Sequence, residues 1–251
     1  RRYLLDAGSG PVQYPEYVTY SKGYHARVCM DISIVALREA RKRLGDHGLY
    51  VVADVARLPF KSEVFDGIVS LHTIHHVPTE DKIPAYEGLY RTLAPGRKMV
   101  VVNGWTRSPL MLRLARFMNL MKRLHGWWIR KNKHQEPEVN LETETRSPKT
   151  RAAEKDADIP SGTYVQKHDA EWLTNALRGR MAHQILVWRS VSVAFLRSVI
   201  YPEWGGRFWL KVIYWFEERF PRYLGRVGQY PLLVVSKPLN DRQSQDVPSK
   251  V

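Results

Sequence analysis

The chain alternates short, continuously apolar runs with segments in which apolar residues recur every three to four positions. Apolar strands with helices between them indicate a parallel sheet that is buried on both faces. In the first 104 residues the predicted strands are 3–6, 23–30, 49–53, 64–71 and 98–103, and the predicted helices are 34–44 and 81–93. The first part of the chain is therefore predicted to be an α/β fold.

The first predicted strand ends at Asp6 and is followed by a turn that carries Gly8 and Gly10. Glycine is needed where the backbone takes a positive φ or approaches a ligand closely. A helix that starts beyond such a turn directs free N–H groups at whatever lies there. Asp31 closes the second strand beside this turn, where a carboxylate can accept both hydroxyls of a ribose.

Residues 3–104 resemble the class I S-adenosylmethionine-dependent methyltransferases, of the broad group that includes the ubiquinone-biosynthesis type. The motifs that carry the resemblance, in the order and spacing of that family, are Leu5-Asp-Ala-Gly-Ser-Gly10, Cys29-Met-Asp31, Ala53-Asp54 with Leu58-Pro-Phe60, Phe65-Asp-Gly-Ile-Val-Ser70 and Leu93-Ala-Pro-Gly96. Two departures stand out. The family often has a glycine where this chain has Val12, and its usual N-terminal helices do not precede the first strand of this sequence.

The resemblance implies a doubly wound, mostly parallel sheet of seven strands, with S-adenosylmethionine as cofactor and S-adenosylhomocysteine as product. It implies that Ala7, Gly8 and Gly10 approach the methionine part of the cofactor and that Asp6 helps to hold its amino group. The remaining cofactor contacts that it implies are Asp31 at the ribose hydroxyls, Asp54 and the backbone of Val55 at the adenine edge, and Ser70, Leu71 and His72 beside the sulfonium. It also implies that Ile32 contacts the cofactor. For Asp54 a simple turn carboxylate is the alternative, because Asp is common after strands.

Three of the nine histidines, His72, His75 and His76, fall within five residues just after the fourth predicted strand. Catalytic groups gather at the carboxyl ends of parallel strands, and histidine can accept a proton near neutral pH. We expect one of them to serve as general base or to orient the acceptor. The alternative is that they cap the next helix or contact the cofactor passively.

The segment at 105–162 follows the fifth strand and is predicted to be an insertion. Its first part predicts a helix over 110–128 with apolar residues on one face, either a lid or core helix or a basic amphipathic helix lying on a membrane surface with Trp127 and Trp128 at the interface. The stretch 130–161 has few aliphatic residues and many charges, which predicts a flexible insertion.

The segment at 163–239 supplies the rest of the sheet. Asp169 is a plausible N-cap of a helix over 169–177, followed by strands at 182–188 and 230–237, the last antiparallel at the sheet edge. Between these strands lies an aromatic helical insertion at 193–223, which is expected to pack over the sheet end, with a pocket for an apolar or aromatic substrate as the alternative. Residues 240–251 are polar and predict a disordered tail.

Charge and cysteine content indicate which partners and which cellular compartment to expect. The net charge is +14, and residues 105–135 hold eight Lys or Arg and no Asp or Glu. Such a patch favours a phosphate-bearing partner, either nucleic acid, anionic lipid or a phosphorylated substrate, or is simply a solvated basic surface.

The single Cys29 excludes an internal disulfide and favours a cytoplasmic location, peripheral to a membrane if the basic helix binds one. No transmembrane run or secretory leader is expected.

Other classes fit the sequence less well. A nicotinamide-dependent oxidoreductase would need a third glycine at position 13, where the chain has Gln13. No Cys and His cluster has metal-ligand spacing, so no metal is expected. An RNA methyltransferase and a non-catalytic protein that keeps the fold stay open as alternatives. The sequence therefore predicts a methyltransferase that acts on a small-molecule acceptor, with lipid-like and phosphorylated molecules as the candidates.

Overall fold

Seven strands form one sheet in the computed structural model, which describes residues 1–132 and 165–239. Their spatial order is β3-β2-β1-β4-β5-β7-β6, and only β7 runs antiparallel to its neighbours. The predicted doubly wound, mostly parallel sheet is thereby confirmed. The strands are β1 (Tyr3–Ala7), β2 (Ala26–Asp31), β3 (Gly48–Val52), β4 (Gly67–Leu71), β5 (Lys98–Val102), β6 (His183–Arg189) and β7 (Tyr230–Ser236).

Helices cover both faces of the sheet, with those at Thr79–Thr92 and Ala170–Leu177 in one apolar cluster and that at Ile34–Leu44 in another. Asp169 caps its helix as predicted, since its Oδ1 accepts from the Trp172 backbone N–H at 2.8 Å. The α-helices are α1 (Pro15–Val18), α2 (Ile34–Leu44), α3 (Thr79–Thr92), α4 (Pro109–Asn132), α5 (Ala170–Leu177), α6 (Val193–Val199), α7 (Gly206–Arg219) and α8 (Pro221–Val227).

The main core lies between the central strands and helices α3 and α5. Leu5, Ile68 and Met99 from three adjacent strands are fully buried, and Leu89 of α3 and Leu177 of α5 pack in the same cluster. A parallel sheet covered on both faces needs such continuously apolar strands. The core therefore fixes the carboxyl ends of β1, β2 and β4 side by side, where ligands bind in open α/β sheets.

The helical insertions differ from the prediction. The aromatic stripe of α7 does not pack over the sheet end, because Phe208, Trp209 and Phe216 are exposed. In α4 the expected single apolar face is divided: Leu114 packs inward, whereas Phe117 is exposed. The helix has more apolar residues than its contact with α6 covers.

Helix α4 also runs through residues 130–132, the first part of the stretch predicted to be a flexible insertion. The remainder of that stretch and the tail predicted at 240–251 lie outside the described residues. Within the described residues no helix combines the length and the hydropathy that crossing a bilayer requires.

Candidate functional site

The turn after β1 is hydrogen-bonded to the end of β2. Gly8 and Gly10 have φ values of +74° and +55°, and the backbone N–H groups of Gly8 and Ser9 both donate to the Met30 carbonyl, at 2.7 and 3.1 Å. A Cβ placed on Gly8 would lie 2.1 Å from Oγ1 of Thr73. Only glycine fits this position, because it needs both the left-handed backbone and the missing side chain.

Asp31, the last residue of β2, holds the same turn. Its Oδ2 accepts from the Gly10 N–H and its Oδ1 accepts from the Ser33 N–H, each at 2.9 Å. A carboxylate offers about four lone-pair sites, so both oxygens keep capacity for a further donor. The lone pairs that remain can accept hydrogen bonds from a pair of hydroxyls.

A cleft of about 250 Å³ opens beside this carboxylate, at the carboxyl ends of β1, β2 and β3. Five of the predicted cofactor residues line it, together with one of the predicted histidines: Gly8, Asp31, Ile32, Asp54, Val55 and His76. Ile32 is 75% exposed, which leaves an apolar surface free at the rim. Asp54 caps its own turn by accepting from the Ala56 N–H at 2.9 Å.

Four other predicted cofactor residues lie beneath or beside this cleft without lining it. Ala7 and Ser70 are buried, and the Ser70 hydroxyl donates to the Ala7 carbonyl at 2.9 Å, which ties β4 to β1. Leu71 is the half-buried last residue of β4. Gly10 faces Asp31 through its N–H, as described above.

Asp6 is buried and already has a cationic partner. Arg27 of β2, itself buried, donates to Asp6 Oδ2 from its Nε at 3.0 Å and from a terminal nitrogen. The same guanidinium also donates to the Tyr17 carbonyl. Burial raises the pKa of Asp6 above its usual value, and the Arg27 charge opposes that rise.

The three predicted histidines follow β4 closely but face different surroundings: His75 and His76 lie in a short 3₁₀ turn, and His72 precedes it. His76 lines the cleft beside Asp31, whereas His75 lines a small adjoining cavity with Tyr86 and Asn103. The rings of His75 and His76 are 4.1 Å apart, and those of His72 and His75 are 6.1 Å apart.

His72 has a φ of +59°, a left-handed conformation that is costly for a residue with a side chain. Its backbone N–H donates to the Val102 carbonyl at 2.8 Å, and its ring lies 5.5 Å from that of Tyr230. Burial lowers the pKa of His72, and the positive charges of Arg189 and Lys167 lower it further.

The pKa of His75 is lowered to about 4, chiefly by burial and then by the neighbouring His76 and His72. Its Nδ1 is buried and has no hydrogen-bond partner among the described residues. The lowered pKa values favour the neutral imidazole at both His72 and His75, which leaves each able to accept a proton but makes it a weaker base than a free histidine.

Sequence reasoning missed three features of the site. Arg27 was not recognised as the partner of Asp6, although an arginine inside an apolar strand was a signal. Val12, at the position where the resembling family often has glycine, has a φ of +49° and is buried. Arg189 at the end of β6 lies over the ring of Tyr230, 4.4 Å from its centroid, and thus close to His72.

The described residues contain no group of three or more His, Cys, Asp or Glu side chains that could hold a metal ion. The glycine turn, the Asp31 carboxylate and the apolar rim together form a site for a ligand with a diol and a flat apolar ring. They match a nucleoside cofactor better than a metal.

Residues 5–101 match the family model described as a methyltransferase domain. No curated protein sequence matches the chain. Among solved structures, the [4+2]-cyclase SpnF shares 19% identity, with 94% of this chain and 75% of that chain covered and a TM-score of 0.51. The geranyl diphosphate C-methyltransferase from Streptomyces coelicolor A3(2), solved with Mg²⁺, geranyl diphosphate and S-adenosyl-L-homocysteine, shares 14% identity, with 94% and 71% covered and a TM-score of 0.50.

The PH0226 protein from Pyrococcus horikoshii OT3 shares 24% identity, and the match spans 45% of this chain and half of that one, with a TM-score of 0.38. The two longer matches show the fold, and the family model covers the strands and turns that build the cleft. Residues 5–101 are therefore similar to a methyltransferase domain, and the methyl donor that such a domain implies is S-adenosylmethionine.

Proposed function

We propose that the chain transfers a methyl group to a small-molecule acceptor that combines an apolar part with an anionic group. The observation that carries this proposal is a row of neighbouring groups. Thr73, the residue after His72, lines the cleft beside Asp31, and the His72 ring lies against the Tyr230 ring. Arg189 lies over the same ring, and Ser190, the residue after it, lines an apolar cleft. We propose that the reaction takes place in the cytoplasm, in peripheral contact with an anionic membrane.

On the cofactor side, we propose that Asp31 accepts the ribose hydroxyls and that Ile32 packs on the adenine, with Asp54 and Val55 at its edge. The Gly8 turn allows close approach of the methionine part. Asp6 supports this turn through Arg27, and Ala7, Gly10, Ser70 and Leu71 fix its position. S-adenosylmethionine supplies the electrophilic methyl group when it is bound.

The chain's own task is to align the acceptor with that methyl group and, where the acceptor carries a proton, to remove it. His72 is the candidate for this role because it is half-buried, held by strained backbone and favoured in its neutral form by a lowered pKa. His75 is an alternative base, and His76 faces the cofactor. A strained residue at the end of a central strand is often a functional one.

Arg189 is the candidate contact for the anionic group. Its Nε is buried and has no hydrogen-bond partner among the described residues, so a ligand oxygen would satisfy it. The next residue, Ser190, lines an apolar cleft of about 470 Å³ whose walls include Phe195, Ile213 and Phe216. The neighbouring methyltransferase from Streptomyces coelicolor is named for geranyl diphosphate, an acceptor with this combination of parts.

An RNA acceptor is the second candidate function, and the observation that favours it is the uneven net charge of +14. One structure with a similar fold is a [4+2]-cyclase, so the fold by itself does not determine the reaction. The exposed aliphatic side chains of the helical layer favour the lipid-like acceptor.

The test is methyl transfer from radiolabelled S-adenosylmethionine to a total lipid extract and, separately, to total RNA, with the Asp31→Ala variant as control. Label in the lipid fraction that the variant does not produce supports the proposal. Label in RNA favours the second candidate. Label in neither fraction, from a chain that binds S-adenosylhomocysteine, contradicts the proposed acceptor class.

A further inference from the structure

Helices α4 and α7 expose large apolar side chains along their outer faces, here called the α4/α7 surface. Leu120 is 52% exposed and Trp215 is 57% exposed, so neither contributes to a core. Soluble proteins rarely leave so many large apolar side chains together without a partner. The members of this surface are Phe117, Leu120, Leu124 and Trp127 of α4 and Phe208, Trp209, Leu210, Tyr214, Trp215 and Phe216 of α7.

The contacts inside the protein do not account for these side chains. Helix α4 packs against Phe195 and Val199 of α6 with a different set of residues, Met111, Leu114, Met118 and Met121. These methionines and Leu114 form one face of the helix, and the exposed residues fall on another. Helix α7 is held by Ile213 in this cluster and by Glu217, which accepts from the Ser190 N–H at 2.7 Å.

Positive charge accompanies the exposed apolar residues. Helix α4 carries six Lys or Arg and no Asp or Glu, and α7 carries three Lys or Arg and two Glu. No ion pair involves α4 within residues 1–132 and 165–239. By helical spacing Arg113 and Lys131 lie in the same stripe as Phe117 and Trp127, and the Lys131 amine lies 5.2 Å from the Trp127 ring centroid. Long basic side chains beside buried apolar ones suit a boundary between hydrocarbon and anionic headgroups.

Aromatic contacts fix the C-terminal part of α4. The His125 ring stacks on Tyr201 with centroids 3.5 Å apart, and Trp128 lies edge-on to Trp204 at 6.3 Å. This cluster holds α4 against the turn before α7, and residues of both helices line the same apolar cleft. Trp and Tyr are also the residues favoured at the level of lipid headgroups.

We propose that the α4/α7 surface docks on an anionic lipid bilayer. Basic residues supply attraction to the headgroups, and the Leu, Phe and Trp side chains enter the boundary with the acyl chains. RNA would stack on the aromatic rings, but it offers nothing apolar to Leu120, Leu124 or Leu210. An anionic bilayer is therefore the partner that matches both the basic and the apolar side chains of this surface.

Docking at this surface also suggests how the acceptor reaches the site, a step that rests on the proposed function. Phe216 and Phe220 line the apolar cleft next to Ser190 and are also exposed, so the cleft opens at the α4/α7 surface. An acceptor with an acyl or prenyl chain would pass from the bilayer into this cleft, with its polar group towards Arg189 and His72.

Co-sedimentation with vesicles tests the docking surface without measuring methyl transfer. The vesicles are phosphatidylcholine alone and phosphatidylcholine with about 30% phosphatidylglycerol, which gives the second set an anionic surface. The variant is Leu120→Glu with Trp215→Glu, one exposed position on each helix. The matched control is Leu49→Glu, an exposed leucine on the edge strand β3.

We expect the intact chain to bind the anionic vesicles and to bind them more weakly at high salt, because exposed charges are screened. The double variant should bind about 100-fold more weakly, since two large side chains no longer leave water. The control should bind like the intact chain. All three should bind S-adenosylhomocysteine equally, which shows that they are folded.

Several results would contradict the proposal that the α4/α7 surface docks on a bilayer. One is a folded chain that does not bind anionic vesicles; another is a double variant that binds them as well as the intact chain does. A third is a dimer of the intact chain that the double variant abolishes, since a second copy would then cover this face. RNA binding lost in the double variant, without vesicle binding, would assign the surface to nucleic acid.

Discussion

Removing the charge of Arg27 while keeping much of its length, as in Arg27→Met, should destabilise the fold strongly. The change leaves the Asp6 carboxylate buried without its cation and also removes the donor to the Tyr17 carbonyl. Breaking a buried ion pair in this way costs about 3–5 kcal/mol, a large part of the roughly 5–15 kcal/mol that stabilises a typical domain. The exposed Arg38→Met is the control and should change stability by less than about 0.5 kcal/mol.

The effect should also depend on pH, and its sign follows from the pKa of Asp6. Burial raises that pKa and Arg27 opposes the rise, so the variant raises it further. A carboxyl whose folded-state pKa is raised loses stability as pH increases above its unfolded pKa of about 3.9. The deficit of Arg27→Met relative to the intact chain should therefore be smaller at pH 5 than at pH 8.

Urea unfolding followed by circular dichroism measures both effects. Replacing the pair by apolar residues, Asp6→Leu with Arg27→Met, should recover about half or more of the lost free energy at pH 8, because no charge is left buried. The reasoning would be refuted by a loss below about 1 kcal/mol, which is the size of an ordinary surface hydrogen bond. It would also be refuted by a loss of equal size at pH 5 and pH 8.

Three further predictions concern the site. Val12→Gly should be at least as stable in urea as Val12→Ala, although glycine is usually the less stable of the two. The reason is that residue 12 has a positive φ, which glycine adopts without strain and alanine does not. A clearly more stable alanine variant would contradict this prediction. Turnover at saturating cofactor should fall in His72→Ala, and in the intact chain the loss of turnover on acidification should occur at a lower pH than for an unperturbed histidine, because burial lowers the His72 pKa. Unchanged turnover in His72→Ala, His75→Ala and His76→Ala would remove the histidines from catalysis. Arg189→Leu should reduce methyl transfer to the lipid fraction while S-adenosylhomocysteine binding, measured by calorimetry, stays the same; reduced binding would place Arg189 at the cofactor instead.

The strands and the cofactor turn could be predicted because their signals are local. Apolar runs without alternation mark buried parallel strands, and Gly8, Gly10 and Asp31 follow two of them directly. The chain order of these elements also places Asp31 beside the turn. The sheet order and the glycine geometry agree with this prediction.

The partner of Asp6 could not be predicted, because it depends on strand register. Arg27 pairs with Leu4 across β1 and β2, and its side chain reaches Asp6 two positions along the same face. Periodicity likewise shows that α4 is amphipathic but not how much of its apolar surface the protein covers. Phe117 and Met118 are adjacent apolar residues, yet the first is exposed and the second packs against α6.

Calorimetric titration with S-adenosylhomocysteine and, separately, with NADH tests the assignment of the cofactor cleft most directly. We predict that the intact chain binds S-adenosylhomocysteine and not NADH. Asp31→Ala should weaken binding by about 100-fold, the effect of losing two hydrogen bonds to a charged group, whereas the exposed Asp46→Ala should bind normally. Binding of NADH, or binding of S-adenosylhomocysteine that Asp31→Ala leaves unchanged, would contradict the account.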